Sequence, residues 1–114
     1  MTTLLDFETK QAMKKICSEE EDTSWRHFSA LAAELKVWLL IGSMAIKVGE
    51  KAANRSFLFS PDGTKVATYD KIHMFDVDLP DEDAYRESNA YEAGTKAVVA
   101  DLPWGKVGLS ICYD

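Results

Sequence analysis

Three side chains in this sequence are of types that, brought together, can do covalent chemistry. Cys112 closes the run Gly108-Leu109-Ser110-Ile111-Cys112, followed by Tyr113 and Asp114. Lys71 lies in Tyr69-Asp70-Lys71-Ile72-His73-Met74-Phe75-Asp76, where a strand-like run gives way to a polar stretch. Glu87 stands inside that stretch, in Tyr85-Arg86-Glu87-Ser88. A thiol attacks as its thiolate, a neighbouring ammonium favours the thiolate, and a carboxylate can carry protons. Singly, each residue has a plainer reading. A cysteine ending an apolar strand is most often a small buried hydrophobe. A strand-end lysine and a loop glutamate are most often solvated. The three gain meaning only if the chain brings them to one edge of a sheet, where active sites of such folds tend to lie.

The elements that would position them follow from periodicity. Residues 7–18 read as a short helix with an apolar stripe at Phe7, Met13, Ile16 and Cys17. The acidic run 19–22 reads as a solvated connection, whose charge suits the positive end of the next helix. Thr23 or Ser24 can cap that helix. Trp25, Phe28, Leu31, Ala32 and Leu35 recur at helical spacing, which predicts an amphipathic helix over 24–36. Residues 37–41 are continuously apolar, as expected of a strand buried on both faces. Gly42-Ser43 and a second short run, 44–46, follow, and 48–53 reads as a polar turn. Strand-like runs at 55–60 and 65–69 flank Pro61-Asp62-Gly63-Thr64, strong turn chemistry that predicts a hairpin. Residues 72–94 read as a long polar loop, of the kind that is usually functional or disordered. Strands are expected at 97–100 and 106–112, joined by a turn at 103–105, with Cys112 ending the last.

Composition bounds the function. The 114 residues suffice for one small domain, with 46% hydrophobic and 28% charged residues, as in ordinary soluble proteins. The net charge of -6 argues against nucleic acid as a partner, because phosphate binding needs clustered Lys and Arg. No apolar run approaches the roughly 18 residues of a membrane span, and the N-terminus lacks signal-peptide character. Two cysteines, Cys17 and Cys112, fit a reducing cytoplasm better than a disulfide framework. With His27 and His73 as the two histidines and no Cys-x-x-Cys, no zinc spacing is present and no cofactor is implied.

Taken together, the motifs resemble the nitrilase superfamily of carbon–nitrogen hydrolases. The resemblance rests on residues 70–76, on Glu87-Ser88, on Tyr91-x-x-Gly94 and on Gly108-x-Ser110-Ile111-Cys112-Tyr113-Asp114, in that order. Trp38-Leu39-Leu40-Ile41-Gly42-Ser43, Asn54-Arg55-Ser56 and Pro61-Asp62-Gly63 match upstream strands, so the likeness runs over about 23–114. It is nearest the omega-amidase and deaminated-glutathione-amidase branch. The resemblance implies an α/β fold: part of a four-layer α-β-β-α sandwich, incomplete here, with 1–114 a partial domain. It implies that Cys112 is the nucleophile, Lys71 the oxyanion-stabilising cation and Glu87 a supporting carboxylate. The general-base Glu of the family belongs to a Pro-Glu context upstream of the first helix. Glu8 lacks that context and is not assigned. The implied substrate is a small, carboxylate-bearing amide, and the implied assembly a homodimer or higher homo-oligomer. His73 is expected to pack or to support the site by a hydrogen bond, packing being preferred.

Two other readings stand beside this one. The chain is a non-catalytic assembly or binding piece, or it is a thiol redox or structural protein using Cys112. Lys71 separates the first reading from the redox one, since a redox thiol has no need of it. The 114 residues alone are expected not to turn over amides and to self-associate, because the base is missing and apolar strand faces lack cover.

Overall fold

A computed structural model describes residues 13–78 and 85–114. Residues 13–15 are helical; of the stripe expected at 7–18, Phe7 lies outside the described residues, and Ile16 and Cys17 lie past the end of the helix. Helix α1, Ser24–Leu35, follows. Its cap comes from neither expected residue: Thr23 makes no side-chain cap bond, and Asp22 Oδ1 accepts the Ser24 N–H at 2.6 Å. A left-handed Lys36, at φ 54°, ends the helix. Strands β1 (Leu39–Val48), β2 (Lys51–Phe59) and β3 (Lys65–Asp70) form an antiparallel sheet in that spatial order. The short strands β4 (Asp76–Val77) and β5 (Tyr85–Arg86) pair, as do β6 (Val99–Leu102) and β7 (Gly105–Gly108).

The two apolar runs read around Gly42-Ser43 are one strand. The β1–β2 register slips between Ile41 and Met44, an extra residue that makes a β-bulge. Strict alternation would put Ile41 and Met44 on opposite faces. The bulge resets the alternation, so Ile41, Met44 and Ile46 all join Phe57, Phe59 and Ala32 in the core under α1. Trp25 stacks on Phe57 at 6.2 Å and Phe57 on Phe59 at 6.3 Å between ring centroids, tying helix to sheet. Ala45 and Ala52 face the other side, where Ile16 and Tyr91 cover them. The expectation of cover on both faces fails over most of 37–41: Val37, ahead of β1, is 41% exposed and Leu40 48% exposed, and of this run Ile41 alone is buried. The stretch 48–53 is not a polar turn throughout: the turn is Gly49-Glu50, and Lys51 to Ala53 already pair with β1.

The Pro61-Asp62-Gly63 hairpin is present. Ser60 Oγ donates to Asp62 Oδ1 at 2.5 Å, and the Asp62 carboxylate also accepts the Thr64 N–H at 3.0 Å. Gly63 has φ 82°, and a Cβ there would meet Ser29 O at 2.8 Å, so only glycine lets the turn sit against α1. The acidic run is not simply solvated. Glu19 pairs with Lys65 and with Arg55, the latter at 2.6 Å. Burial works to raise the Glu19 pKa, but hydrogen bonds from Lys65 and Arg55 outweigh it and hold it below the ordinary value. Among the described residues no helix is long and apolar enough to cross a membrane.

The polar stretch after β3 is organised. It holds β4, β5 and a 3-10 turn at Glu87–Asn89, then returns to the sheet through an Ala52–Tyr91 bridge. Its end is pinned where the Gly94 N–H donates to Lys71 O at 2.8 Å. A Cβ on Gly94 would lie 2.3 Å from Asp70 O and 2.9 Å from Asp70 C. Both are backbone atoms of the sheet edge and cannot swing aside. Gly94→Ala is therefore expected to cost about 1–3 kcal/mol, the usual range for overpacking. Gly42→Ala, whose Cβ would meet nothing within 4 Å, should stay within about 0.5 kcal/mol of the parent. Urea denaturation of the two variants checks this, and equal stabilities would contradict the close approach.

Candidate active site

Lys71 leaves β3 and turns inward. Its side chain is 2% exposed, and its ammonium forms an ion pair with Glu87, itself 9% exposed. Glu87 is thus not a solvated loop glutamate. The same Oε2 atom accepts the Phe75 N–H at 2.7 Å, which orients the carboxylate. Asp76 receives the Ser88 N–H at 3.0 Å and Ser88 Oγ at 2.7 Å, holding the 3-10 turn that carries Glu87. On the other side, the Lys71 N–H donates to Asn54 O at 2.9 Å. Arg55, next in β2, grips Asp70 through two bonds of 2.6 and 2.8 Å. This bidentate pair is the strong form of an arginine–carboxylate contact. The backbone around Lys71 is therefore held by β2 before and by Gly94 after.

Cys112 does not end a strand. The last strand, β7, stops at Gly108, and Cys112 stands in the turn beyond it with φ 52°, a left-handed value unusual for a residue with a side chain. Its residue is exposed, unlike the buried Leu109 and Ile111 beside it. Leu109 and Ile111 pack on Tyr69 of β3, with Ile72, Val98 and Val107 around them. That contact brings the turn against the segment carrying Lys71, though β3 and β7 belong to separate sheets.

One carboxylate joins the two segments. Asp114 Oδ2 accepts from Tyr69 Oη at 2.5 Å and from the Ile111 N–H at 3.0 Å. Asp114 Oδ1 accepts from the N–H groups of Ile72 at 3.2 Å and His73 at 2.8 Å. Burial works to raise the Asp114 pKa, yet bonds from Tyr69 and from the His73 and Ile111 N–H groups hold it at about 2. Burial and the same carboxylate push Tyr69 up to about 12. His73 is not packed: its ring is 66% exposed, with Nδ1 at 3.1 Å from Asp114 Oδ1. Phe75 and Tyr113 meet edge to face at 5.3 Å beside Cys112.

All three residues singled out from the sequence thus fall in one region, Lys71 bonded to Glu87 and the Cys112 turn against the Lys71 segment. Sequence reasoning missed Asp114 and Tyr69 as parts of the arrangement. A signal for Asp114 exists, since a short carboxylate readily closes a turn on nearby N–H groups. None announces Tyr69, whose partner lies far along the chain. Among the described residues no three His, Cys, Asp or Glu side chains group to hold a metal ion.

Two outcomes follow from this geometry. Glu87→Ala leaves the Lys71 ammonium buried without its partner and should cost about 3–5 kcal/mol, whereas Lys71→Met with Glu87→Leu should cost far less. Chemical denaturation of the single and double variants measures this, and additive losses would refute the coupling. The Asp114 bonds depend on its charge. With a folded pKa below the ordinary 3.8, their contribution is complete above that pH and is lost as pH falls toward about 2. Acid titration of parent and Asp114→Asn should therefore show the parent losing more stability between these limits, and parallel curves would contradict it.

Comparison with known proteins gives a consistent result. The family model described as carbon-nitrogen hydrolase matches residues 6–114. The chain is 43% identical over 88 residues to a deaminated glutathione amidase of Yersinia enterocolitica, covering 74% of this chain and 31% of that protein. It is 38% identical over 91 residues to the omega-amidase NIT2 of Homo sapiens, covering 80% and 33%. Among solved structures, the C. elegans NitFhit protein superposes with a TM-score of 0.75 at 28% identity, over 92% of this chain and 26% of that one. Saccharomyces cerevisiae Nit3, a member of the nitrilase superfamily, gives a TM-score of 0.73 at 28% identity over 94% and 38%. The chain spans about a third of the length of the two amidases. By the extent of the family match, with α1 and the β1–β3 sheet giving the mixed helix-and-sheet content of these neighbours, the chain belongs to the carbon–nitrogen hydrolase family.

Proposed function

We propose that this segment supplies the nucleophile and the oxyanion-stabilising cation of an amidase. The observation that carries the reading is the placement of a buried, glutamate-paired Lys71 on a segment clamped to the turn of an exposed Cys112. The Cys112 thiolate attacks an amide carbonyl, forming a C–S bond and a tetrahedral oxyanion. Lys71, a cation held out of water, stabilises that oxyanion where electrostatic interactions are strong. Collapse breaks the C–N bond and releases ammonia after the leaving nitrogen takes up a proton. Water then hydrolyses the thioester to the carboxylate and restores the thiol. Glu87 is committed to Lys71 and to the Phe75 N–H, so its part is to hold the cation. In this reading the thiol proton passes to a further glutamate, the general base that the resemblance implies and that is not among the residues assigned here.

The names of the two amidase relatives support a small amide that also bears a carboxylate, and we extend that class to this protein. The fold in this reading is part of a four-layer sandwich that assembles as a homodimer or higher homo-oligomer, and a reducing cytoplasm suits a free-thiol nucleophile. The test is ammonia release from small aliphatic amides with and without a terminal carboxylate. The segment carried at its relatives' length should turn over the carboxylate-bearing amides, and Cys112→Ala should abolish this, while Cys17→Ser keeps it. Residues 1–114 alone should be inactive. Parent-rate hydrolysis in Cys112→Ala would exclude the reading.

A further inference from the structure

We propose that Asp114 is a positioning residue for the amidase chemistry, holding Cys112 at the distance from Lys71 that a shared carbonyl requires. The inference rests on the function proposed above and adds to it a residue with no chemical part in the reaction. Asp114 meets the chain on both sides of Lys71: Tyr69 before it, Ile72 and His73 after it. The same carboxylate takes the N–H of Ile111, the residue before Cys112, and the Asp114 N–H donates back to Ile111 O at 3.2 Å. The turn that holds Cys112 is thus closed by the group that anchors it to the lysine segment.

The two ends of this clamp are not equally dependent on it. Lys71 is held without Asp114, by Asn54 O, by the Gly94 N–H and by Glu87. The Cys112 turn rests on this clamp and on the packing of Leu109 and Ile111 against Tyr69, and the φ of 52° at Cys112 is a conformation that costs of order 1–3 kcal/mol unless the surroundings impose it. Loss of the clamp should therefore move the thiol and leave the lysine in place. Asparagine at 114 keeps the shape but not the function of both oxygens. One side atom becomes an N–H2 donor, which must face either the Ile111 N–H or the Ile72 and His73 N–H groups. One half of the clamp is lost whichever way the amide turns.

A positioning role and a merely structural one differ in what they change. Attack on a carbonyl needs the thiolate and the cation in register, and a displacement of about 1 Å can cost on the order of 100-fold. Alkylation by iodoacetamide needs only an accessible thiolate. It is measured at about pH 10, above the roughly 8.5 of an ordinary thiol, so that ionisation does not enter. The experiment compares parent and Asp114→Asn in a Cys17→Ser background, using the segment at its relatives' length. Expected are a kcat for amide hydrolysis lower by about 100-fold, a KM little changed, and alkylation of Cys112 at the parent rate. Unchanged kcat overturns the proposal. So does an equal fall in kcat and alkylation, which would mean the thiol is merely lost from reach. If Asp114→Asn does not fold, Tyr69→Phe removes one bond of the clamp and carries the same test, with a loss of kcat but not of alkylation expected. Cys112→Ala run alongside separates the two levels: activity surviving it overturns the amidase reading, whereas a dead Cys112→Ala with a fully active Asp114→Asn overturns only the positioning role.

Discussion

The ion pair between Lys71 and Glu87 is the constraint on which the rest of the site depends. An ammonium moved out of water loses several kcal/mol of solvation, and only a well-placed anion offsets it. Every neighbouring element serves that placement. The Phe75 N–H aims the carboxylate, the Asp76–Ser88 bonds hold the 3-10 turn that bears it, and Asn54 O fixes the backbone of the lysine. A cation confined in this way is costly to the fold, and under the proposed function its weakly screened field is what a substrate carbonyl would meet.

A second electrostatic group stands behind the first. Arg55 joins Asp70 to Glu19, and Lys65 joins the same Glu19. The acidic connection ahead of α1 is thereby fastened to the edge of the sheet. Lys65 also lies 4.8 Å from the centre of the Trp25 ring, so the charged group and the aromatic ladder of the core are continuous. Helix, sheet edge and the segment leading to Lys71 are held as one body.

The parts of this arrangement legible in the sequence are those that depend on neighbours along the chain. The α1 helix, whose stripe puts Trp25, Phe28 and Ala32 on the core but leaves Leu35 58% exposed, and the Pro61-Asp62-Gly63 turn have local causes, and the structure contains both. Where pairing or packing across the chain decides, local reading fails. The Gly42-Ser43 break is a bulge inside β1 because β2 supplies a continuous partner. The run from 106 to 112 looks like a strand by its apolar content, yet Leu109 and Ile111 are apolar because they pack on Tyr69, not because they extend β7. The residues of the site could be chosen from motif order, but their mutual contacts could not. Asp114 binds Tyr69 and His73 across more than forty positions, and no periodicity encodes that.

The closure at Gly94 has a consequence for how such a segment can change over evolutionary time. Chain leaves the sheet at Lys71 and is tied back to the same residue by the Gly94 N–H, with the Ala52–Tyr91 bridge just before the knot. Everything between is an excursion whose two ends are fastened independently of its length. Doubling such an excursion adds only about 0.6 kcal/mol of closure entropy. Insertions and deletions distal to β4 and β5 are therefore thermodynamically inexpensive, while the knot itself admits no side chain at all. Variation in length and invariance in position can coexist within a few residues, provided the excursion still returns Glu87 to the lysine.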